Sequence, residues 1–292
     1  MTISFGSKLQ TNWDWRAACN FMFGGSGSGL LVMMAILAAP RPAPIVLAFV
    51  ALALVGFGLL MVWFEIGRPW RFLHVFFHPQ TSWMTREGSV GIVLFVATLV
   101  GGLMQSVTMT SLAAVLGFVF LYCQARILKA AAGIPAWREP VIVPLIIASG
   151  LVEGTAIVVM FFQAINAATP WMFGLLVLLF SARLWIWCVY RNVLIRRKAP
   201  AGTLQAFAKL HREFFMVGFL LPLLFVLTPL VLELAIWATY FAGVFVLVSG
   251  WRLKYVLVVK ASFKQGYGIG KLRRGRPGVK PPVRREGDPI QF

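Results

Sequence analysis

Two carboxylates, Glu65 and Glu87, lie at the two ends of a polar stretch that separates two long apolar runs. The stretch, WFEIGRPWRFLHVFFHPQTSWMTRE from Trp63 to Glu87, also contains three arginines, three tryptophans and two of the chain's three histidines. A carboxylate in partly apolar surroundings can take up and release protons near neutral pH. We therefore expect proton-transfer chemistry in this stretch, with Glu65 as the relay.

A simpler interpretation covers many of the same residues one by one. Tryptophans are common at membrane–water interfaces, and arginines there usually contact lipid phosphates. This interpretation does not explain the two glutamates, which stand among arginines and apolar side chains. The stretch is therefore the first candidate for a functional site.

Two further charges lie inside apolar runs, Glu153 in SGLVEGTAIV and Arg183 in FSARLWIW. A single charge within a membrane is costly, so such residues usually pair or face a cavity. We predict that Glu153 and Arg183 form a buried charge pair. The pair could be a structural ion pair or part of a proton or ligand path.

Residues that could bind a metal or a haem are not grouped in this sequence. His74, His78 and His211 lie in polar or interfacial stretches, and the three cysteines are scattered without a CxxC motif. A haem needs axial side chains on apolar helix faces, and clusters need grouped thiolates. We expect no haem, no iron–sulfur cluster and no metal in this chain.

A glycine-rich run, FGGSGSG from Phe23 to Gly29, follows Asn20 directly. It lacks the Lys-Ser/Thr ending and the preceding strand of a phosphate-binding loop. Small residues at this spacing favour close helix packing, or the approach of a flat ligand. The amide of Asn20 needs a partner, and a ligand carbonyl would be a suitable one.

The elements that must position these residues are membrane-spanning helices. The chain is 60% hydrophobic and 12% charged, and about 20 apolar residues cross a bilayer core. The composition predicts an all-α polytopic membrane protein with eight transmembrane helices, and no cleaved signal peptide is evident. The predicted spans are Ala17–Ala39, Ala43–Phe64, Val90–Thr108, Leu112–Ala131, Glu139–Gln163, Pro170–Leu194, Arg212–Pro229 and Leu234–Val259.

The distribution of basic residues predicts the topology. Of the 27 lysines and arginines, 25 lie on the side of the membrane predicted to hold both termini. The other two are Arg41, on the opposite side, and Arg183, within a span. By the positive-inside rule, both termini and the Trp63–Glu87 stretch face the cytoplasm. The net charge of +18 thus reflects topology and contact with lipid headgroups, and we expect no nucleic-acid partner.

These patterns divide the chain into three regions. Residues 1–16 form an N-terminal cytoplasmic segment, residues 17–260 the eight-helix membrane domain, and residues 261–292 a basic, Gly/Pro-rich cytoplasmic tail. Within the membrane domain, residues 65–89 form a cytoplasmic segment between the second and third spans.

Several motifs resemble those of one membrane-protein family. EIGRPWRFL and SWMTRE are similar to the H-L-G-x-P-x-R…S-W-x-S-R-E pattern of NrfD/DmsC-type membrane anchor subunits of complex iron–sulfur molybdoenzymes. The stretches Ile134–Gly154 and SFKQGYG (Ser262–Gly268) agree with that family. WDWRAACNFMFGGSGSGLL resembles the variant found with phenylacetyl-CoA:acceptor oxidoreductases.

The resemblance implies an anchor in the bacterial inner membrane that has no redox centre of its own. It implies a quinone (ubiquinone or menaquinone) bound near the cytoplasmic face. There a ferredoxin-like iron–sulfur subunit and a molybdenum or tungsten bis-pterin catalytic subunit would dock. Electrons would pass from these partners to the quinone pool, and the chain would be either quinone-reactive or non-catalytic.

The resemblance also assigns roles, with residues 65–89 as the segment for quinone binding and partner docking. Asn20 matches a quinone-contacting asparagine of the family, and Glu65 replaces the family's histidine before L-G. The predicted quinone-binding residues are Asn20, Glu65, Arg68, Trp83 and Arg86. The predicted partner-docking residues are Arg71, His74, His78, Glu87, Lys264, Arg273 and Arg274. Two alternatives stay open: a transporter or ion pathway using Glu153 and Arg183, and a purely structural anchor without quinone.

Overall fold

A computed structural model describes residues 6–65, 73, 76–77, 79–228 and 235–265, with the side chains of 235 and 236 left aside. Eight helices in these ranges are long and apolar enough to cross a membrane, as the composition predicted. Several predicted site residues lie outside the described ranges: Arg68, Arg71, His74, His78, Arg273 and Arg274.

The described residues form eight long helices, one single-turn α-helix and two short strands. Three of the long helices contain a π-helical turn, at Asn20–Gly24, Met216–Leu220 and Val256–Lys260. The elements are β1 (Lys8–Leu9), α1 (Trp15–Ala38), α2 (Ile45–Glu65), α3 (Trp83–Leu103), α4 (Val107–Ala130), α5 (Pro135–Arg138), α6 (Ile142–Ala164), α7 (Pro170–Arg196), α8 (Ala201–Leu227), α9 (residues 235–260) and β2 (Phe263–Lys264).

Helix α3 begins earlier than the sequence predicted, at Trp83 rather than at Val90. Ser82 caps it, because its hydroxyl accepts a hydrogen bond from the Thr85 backbone N–H at 3.3 Å. The consequence is that Glu87, predicted to lie in a loop, occupies the second turn of a transmembrane helix.

Helix α8 also begins earlier, at Ala201 rather than at Arg212. Its first turns are amphipathic: Thr203, Phe207 and Leu210 are buried, while Lys209 and Arg212 are exposed. The predicted start at Arg212 was too late because polar residues on one face make this stretch less apolar than a full span. Its opposite face packs into the core.

Helices α1 and α6 form the centre of the bundle. Helix α1 packs against α2, α4 and α6, and α6 also contacts α7 and α9. The closest approach is between Gly29 on α1 and Gly150 and Gly154 on α6, where an added Cβ would overlap the facing backbone. The glycine-rich run therefore packs helices closely, which was the first of its two predicted roles.

The two described ends of the chain meet at one end of the bundle. Strand β1 pairs antiparallel with β2, so that Lys8 lies opposite Lys264. The Gln10 side chain extends this contact by donating a hydrogen bond to the Val258 carbonyl at 3.2 Å. An even number of spans places both ends of the chain on one side of the membrane. The cytoplasmic location of this side stays a prediction.

Candidate functional site

Asn20 is the first residue of the π-helical turn in α1 and is buried, with 3% of its surface exposed. Its Nδ2 donates a hydrogen bond to Glu87 Oε1 on α3 at 3.1 Å. Its Oδ1 is also buried and has no hydrogen-bond partner among the described residues. Because buried polar atoms are normally paired, this oxygen marks a place where a donor group is missing.

Gln124 on α4 completes a cluster of three polar side chains from three helices. It is fully buried, and its Nε2 donates to the Asn20 backbone carbonyl at 3.0 Å. Gln124 thus connects α4 to the π-helical turn of α1. We call Asn20, Glu87 and Gln124 the amide–carboxylate cluster. The sequence analysis missed Gln124, although a glutamine within the apolar run GFVFLYCQARIL was a visible signal.

Gly58 on α2 allows this helix to lie against the same turn. A Cβ at Gly58 would lie 2.9 Å from the Gly24 backbone N and 3.1 Å from Asn20 Oδ1. Any larger residue would therefore collide with the turn that holds Asn20.

A small void connects the predicted proton relay with the cluster. It has a volume of about 30 Å³, and its lining includes Asn20, Glu65 and Glu87. Glu65 Oε1 is buried there without a hydrogen-bond partner among the described residues. Two residues predicted to work together, Asn20 and Glu65, are thus neighbours of one void, which has room for a water-sized molecule.

A much larger cavity, of about 680 Å³, lies between α2 and α3. Apolar side chains form its walls, among them Leu59 and Trp63 of α2 and Ile92 and Phe95 of α3. Among the described residues that line it, Glu87 is the only one with a charged side chain. Its volume lies within the range of small-molecule sites, and it combines apolar walls with a polar end.

Glu87 belongs to this site, whereas the sequence analysis assigned it to partner docking. It is only 4% exposed and faces Asn20. The assignment has to be corrected because the early start of α3 turns Glu87 into the bundle. Lys264, also assigned to docking, is exposed on β2, and its docking role stays a prediction.

Trp83 and Arg86 lie beside the cavity, and neither is part of its lining. The Arg86 and Arg126 guanidinium groups stand 4.2 and 4.4 Å from the centre of the Trp83 ring. Arg86 also donates to the carbonyls of Pro79 and Gln80, each at 2.8 Å. These contacts tie Arg86 to the segment before α3, and the quinone-binding roles of Trp83 and Arg86 stay a prediction.

A second buried cluster surrounds Glu153. Its Oε2 accepts hydrogen bonds from Ser26 Oγ at 2.5 Å and from Lys254 Nζ at 2.7 Å. The ion-pair partner of Glu153 is therefore Lys254 rather than the predicted Arg183. The charge distribution places Lys254 among the cytoplasmic charges, whereas helix α9 buries it completely.

Arg183 lies in the same cluster with contacts of its own. Its Nη2 donates to Ser249 Oγ at 3.0 Å and to the Gly218 carbonyl at 3.2 Å. A Cβ on Gly250 would overlap Glu153 Oε1 and lie 3.0 Å from Arg183 Nη1. Glu153, Lys254 and Arg183 are all fully buried. We call these three residues the ion cluster.

Metal-binding groups do not come together in the described part of the chain. No three histidine, cysteine, aspartate or glutamate side chains there are placed to hold an ion. His211 accepts a hydrogen bond from Trp187 Nε1 at 3.2 Å, a contact typical of a packed interfacial histidine. The expected absence of haem and iron–sulfur clusters stays a prediction.

Comparison with known proteins supports one family. The family model described as polysulphide reductase, NrfD, matches residues 5–104. That segment contains α1, α2 and α3 and hence Asn20, Glu65 and Glu87. No curated protein matches the chain. The match to residues 5–104, together with the eight apolar helices, supports the resemblance to NrfD/DmsC-type membrane subunits that the motifs predicted, and the resemblance to the phenylacetyl-CoA variant stays a prediction.

Proposed function

We propose that this chain is the quinone-binding anchor of a molybdenum- or tungsten-pterin iron–sulfur oxidoreductase in the bacterial inner membrane. A docked ferredoxin-like subunit would deliver electrons from the catalytic subunit, and the membrane quinone would accept them. One observation carries this proposal: an apolar cavity of about 680 Å³ ends at the buried carboxyl of Glu87, which is hydrogen-bonded to Asn20.

The chemistry of a quinone matches this cavity. A quinone ring has two carbonyl acceptors, and its isoprenoid tail is apolar. The walls around Leu59 and Phe95 suit the tail, while Asn20 Nδ2 is a donor for a ring carbonyl. Nδ2 now donates to Glu87, so a ring carbonyl would replace the carboxylate as its acceptor. The apolar volume and the buried donor support binding of a quinone head with its tail along α2 and α3.

Reduction of a quinone to a quinol takes up two electrons and two protons. Glu87 is the carboxyl group that borders both the cavity and Asn20, so we assign it as the proton donor to the ring oxygen. Glu65 borders the small void next to Glu87 and would return a proton to it from the aqueous side. The residues thus divide into a hydrogen-bond donor, a proton donor and a relay.

The partner subunits would dock on the end of the bundle where β1 and β2 meet. Lys8 and Lys264 stand opposite each other on the two strands, and Lys264 is exposed. This surface suits an acidic partner, and it lies at the same end as the amide–carboxylate cluster.

The test is quinone reduction by the purified complex carrying E87Q. We expect a loss of at least about 100-fold, because a positioned general acid contributes about 10²–10⁴ in rate. Reduction of a water-soluble dye by the catalytic subunits should stay unchanged. A second variant, N20A, should weaken quinone binding with the same dye activity.

The matched control is E139Q. Glu139 is also a buried carboxylate, 1% exposed, and it pairs with Arg197 at 3.1 Å outside the cavity. E139Q should keep quinone reduction. If E87Q and N20A complexes reduce quinone like the wild type, the chain is a structural anchor without a quinone site here.

A further inference from the structure

The ion cluster has two cations and one carboxylate. Lys254 and Arg183 each contribute one positive charge, and Glu153 is the only acidic side chain among their ion-pair and hydrogen-bond partners in the described part of the chain. The cluster therefore carries a formal excess of one positive charge. All three side chains are fully buried, so water screens this charge much less than a charge at the surface.

Only the backbone of α1 separates the ion cluster from the amide–carboxylate cluster. A Cβ on Gly25 would lie 2.5 Å from Lys254 Nζ and 3.4 Å from Gln124 Oε1. Gln124 in turn donates to the carbonyl of Asn20. The glycine thus lets the ammonium of Lys254 approach the helix backbone directly behind the proposed site.

We propose that the ion cluster makes the α2–α3 cavity selective for quinone-type ligands that carry a negative charge. The inference rests on the proposed function and deepens it. Preorganised charge in a low-dielectric site favours ligands of the opposite sign. Glu87, which lines the cavity, adds no opposing charge in the protonated form in which it donates to the ring oxygen. The same excess charge would favour the negative charge that develops on the ring during reduction. Lys254 and Glu153 act here as positioning residues, since neither lines the cavity.

Removal of a positive charge and removal of a negative charge from the ion cluster should change the binding of anionic ligands in opposite directions. K254M lowers the formal charge from one positive to zero, and E153Q raises it to two. The double variant K254M/E153Q restores one positive charge. If the ion cluster only stabilised the fold, K254M and E153Q would change the affinity for anionic ligands in the same direction.

The experiment measures dissociation constants of the intact purified complex for two probes. One is 2-hydroxy-1,4-naphthoquinone, which is ionised at pH 7, and the other is neutral 1,4-naphthoquinone. We expect the dissociation constant of the neutral probe divided by that of the ionised probe to fall about tenfold in K254M and to rise about tenfold in E153Q. The double variant should return to the wild-type ratio, and so should K254R.

R252Q is the matched control. Arg252 precedes Lys254 by two residues, is about half exposed and pairs with Glu213 at 3.1 Å. Loss of this screened surface charge should leave the ratio unchanged. Equal ratios in all variants, or shifts of the same sign in K254M and E153Q, would overturn the inference.

The wild-type complex alone gives a second measurement that needs no variant to fold. The ionised probe should bind at least about tenfold more tightly than the neutral one. Equal or weaker binding of the ionised probe overturns the inference while leaving the quinone site intact. A cavity that binds neither probe contradicts the proposed function itself.

Discussion

The amide–carboxylate cluster and the ion cluster are both buried and polar, yet they differ in what surrounds them. Glu87 borders a cavity of about 680 Å³ and has an amide as its partner. Glu153 is enclosed by an ammonium, a hydroxyl and a nearby guanidinium. The difference suggests that the first cluster is built to receive a ligand and the second to hold charge in place. Substitutions should therefore affect chemistry in the first and stability in the second.

The largest expected effect is on stability, in the ion cluster. E153A leaves Lys254 and Arg183 buried without their carboxylate, and breaking a buried pair costs about 3–5 kcal/mol. The free energy of unfolding in detergent should fall by about that amount. N20A, which removes a neutral amide, should cost about 1–3 kcal/mol. Equal losses in the two variants would remove the distinction between the clusters.

The next effect sharpens the role of the cavity. I92W places a large ring in the cavity wall, so quinone reduction should fall by about tenfold or more while dye reduction is kept. Ile92 is exposed between α2 and α3 and lines the cavity. Leu178 on α7 is similarly exposed and is not part of the lining, so L178W is the control. A loss of quinone reduction in both variants would point to disturbed membrane packing instead.

Turnover is expected to move no net charge across the membrane. If electrons and protons both reach the quinone from the end where β1 and β2 meet, their charges cancel on one side. Proteoliposomes containing the whole complex should therefore develop no membrane potential during quinone reduction. A potential that scales with turnover would indicate a path across the bundle, and the buried ion cluster would be its first candidate.

The smallest effect concerns partner docking. K264E reverses an exposed charge on β2 and should slow association of the partner subunits a few-fold, most strongly at low salt. Arg41 is exposed in the turn between α1 and α2, at the opposite end of the bundle. R41E should leave association unchanged, which surface plasmon resonance can measure. Equal effects of both changes would mean that net charge alone governs association.

The number and approximate place of the membrane helices followed from the sequence because apolar length decides them. The start of α3 did not, because its cap, Ser82, lies inside a stretch that looked polar throughout. The prediction that Asn20 and Glu65 share one site rested on resemblance to a family. The structure brings both to one small void.

The partners within each cluster could not be derived from the sequence. Glu87 lies 67 residues from Asn20, and Lys254 lies 101 residues from Glu153. The sequence predicts Arg183 on α7 as the partner of Glu153. Helix α6 contacts α9 as well as α7, and only the packing of the bundle shows which cation reaches the carboxylate.

The most direct test of the central claim is photoaffinity labelling of the purified complex with an azido-quinone, followed by mass spectrometry of the labelled peptides. We expect labels on the cavity-lining parts of α2 and α3, around Leu60 and Ile92. Excess unlabelled quinone should abolish these labels, and E87Q should reduce them. Labels confined to other helices, such as the cleft lined by Leu210 and Val248, would contradict a quinone site between α2 and α3.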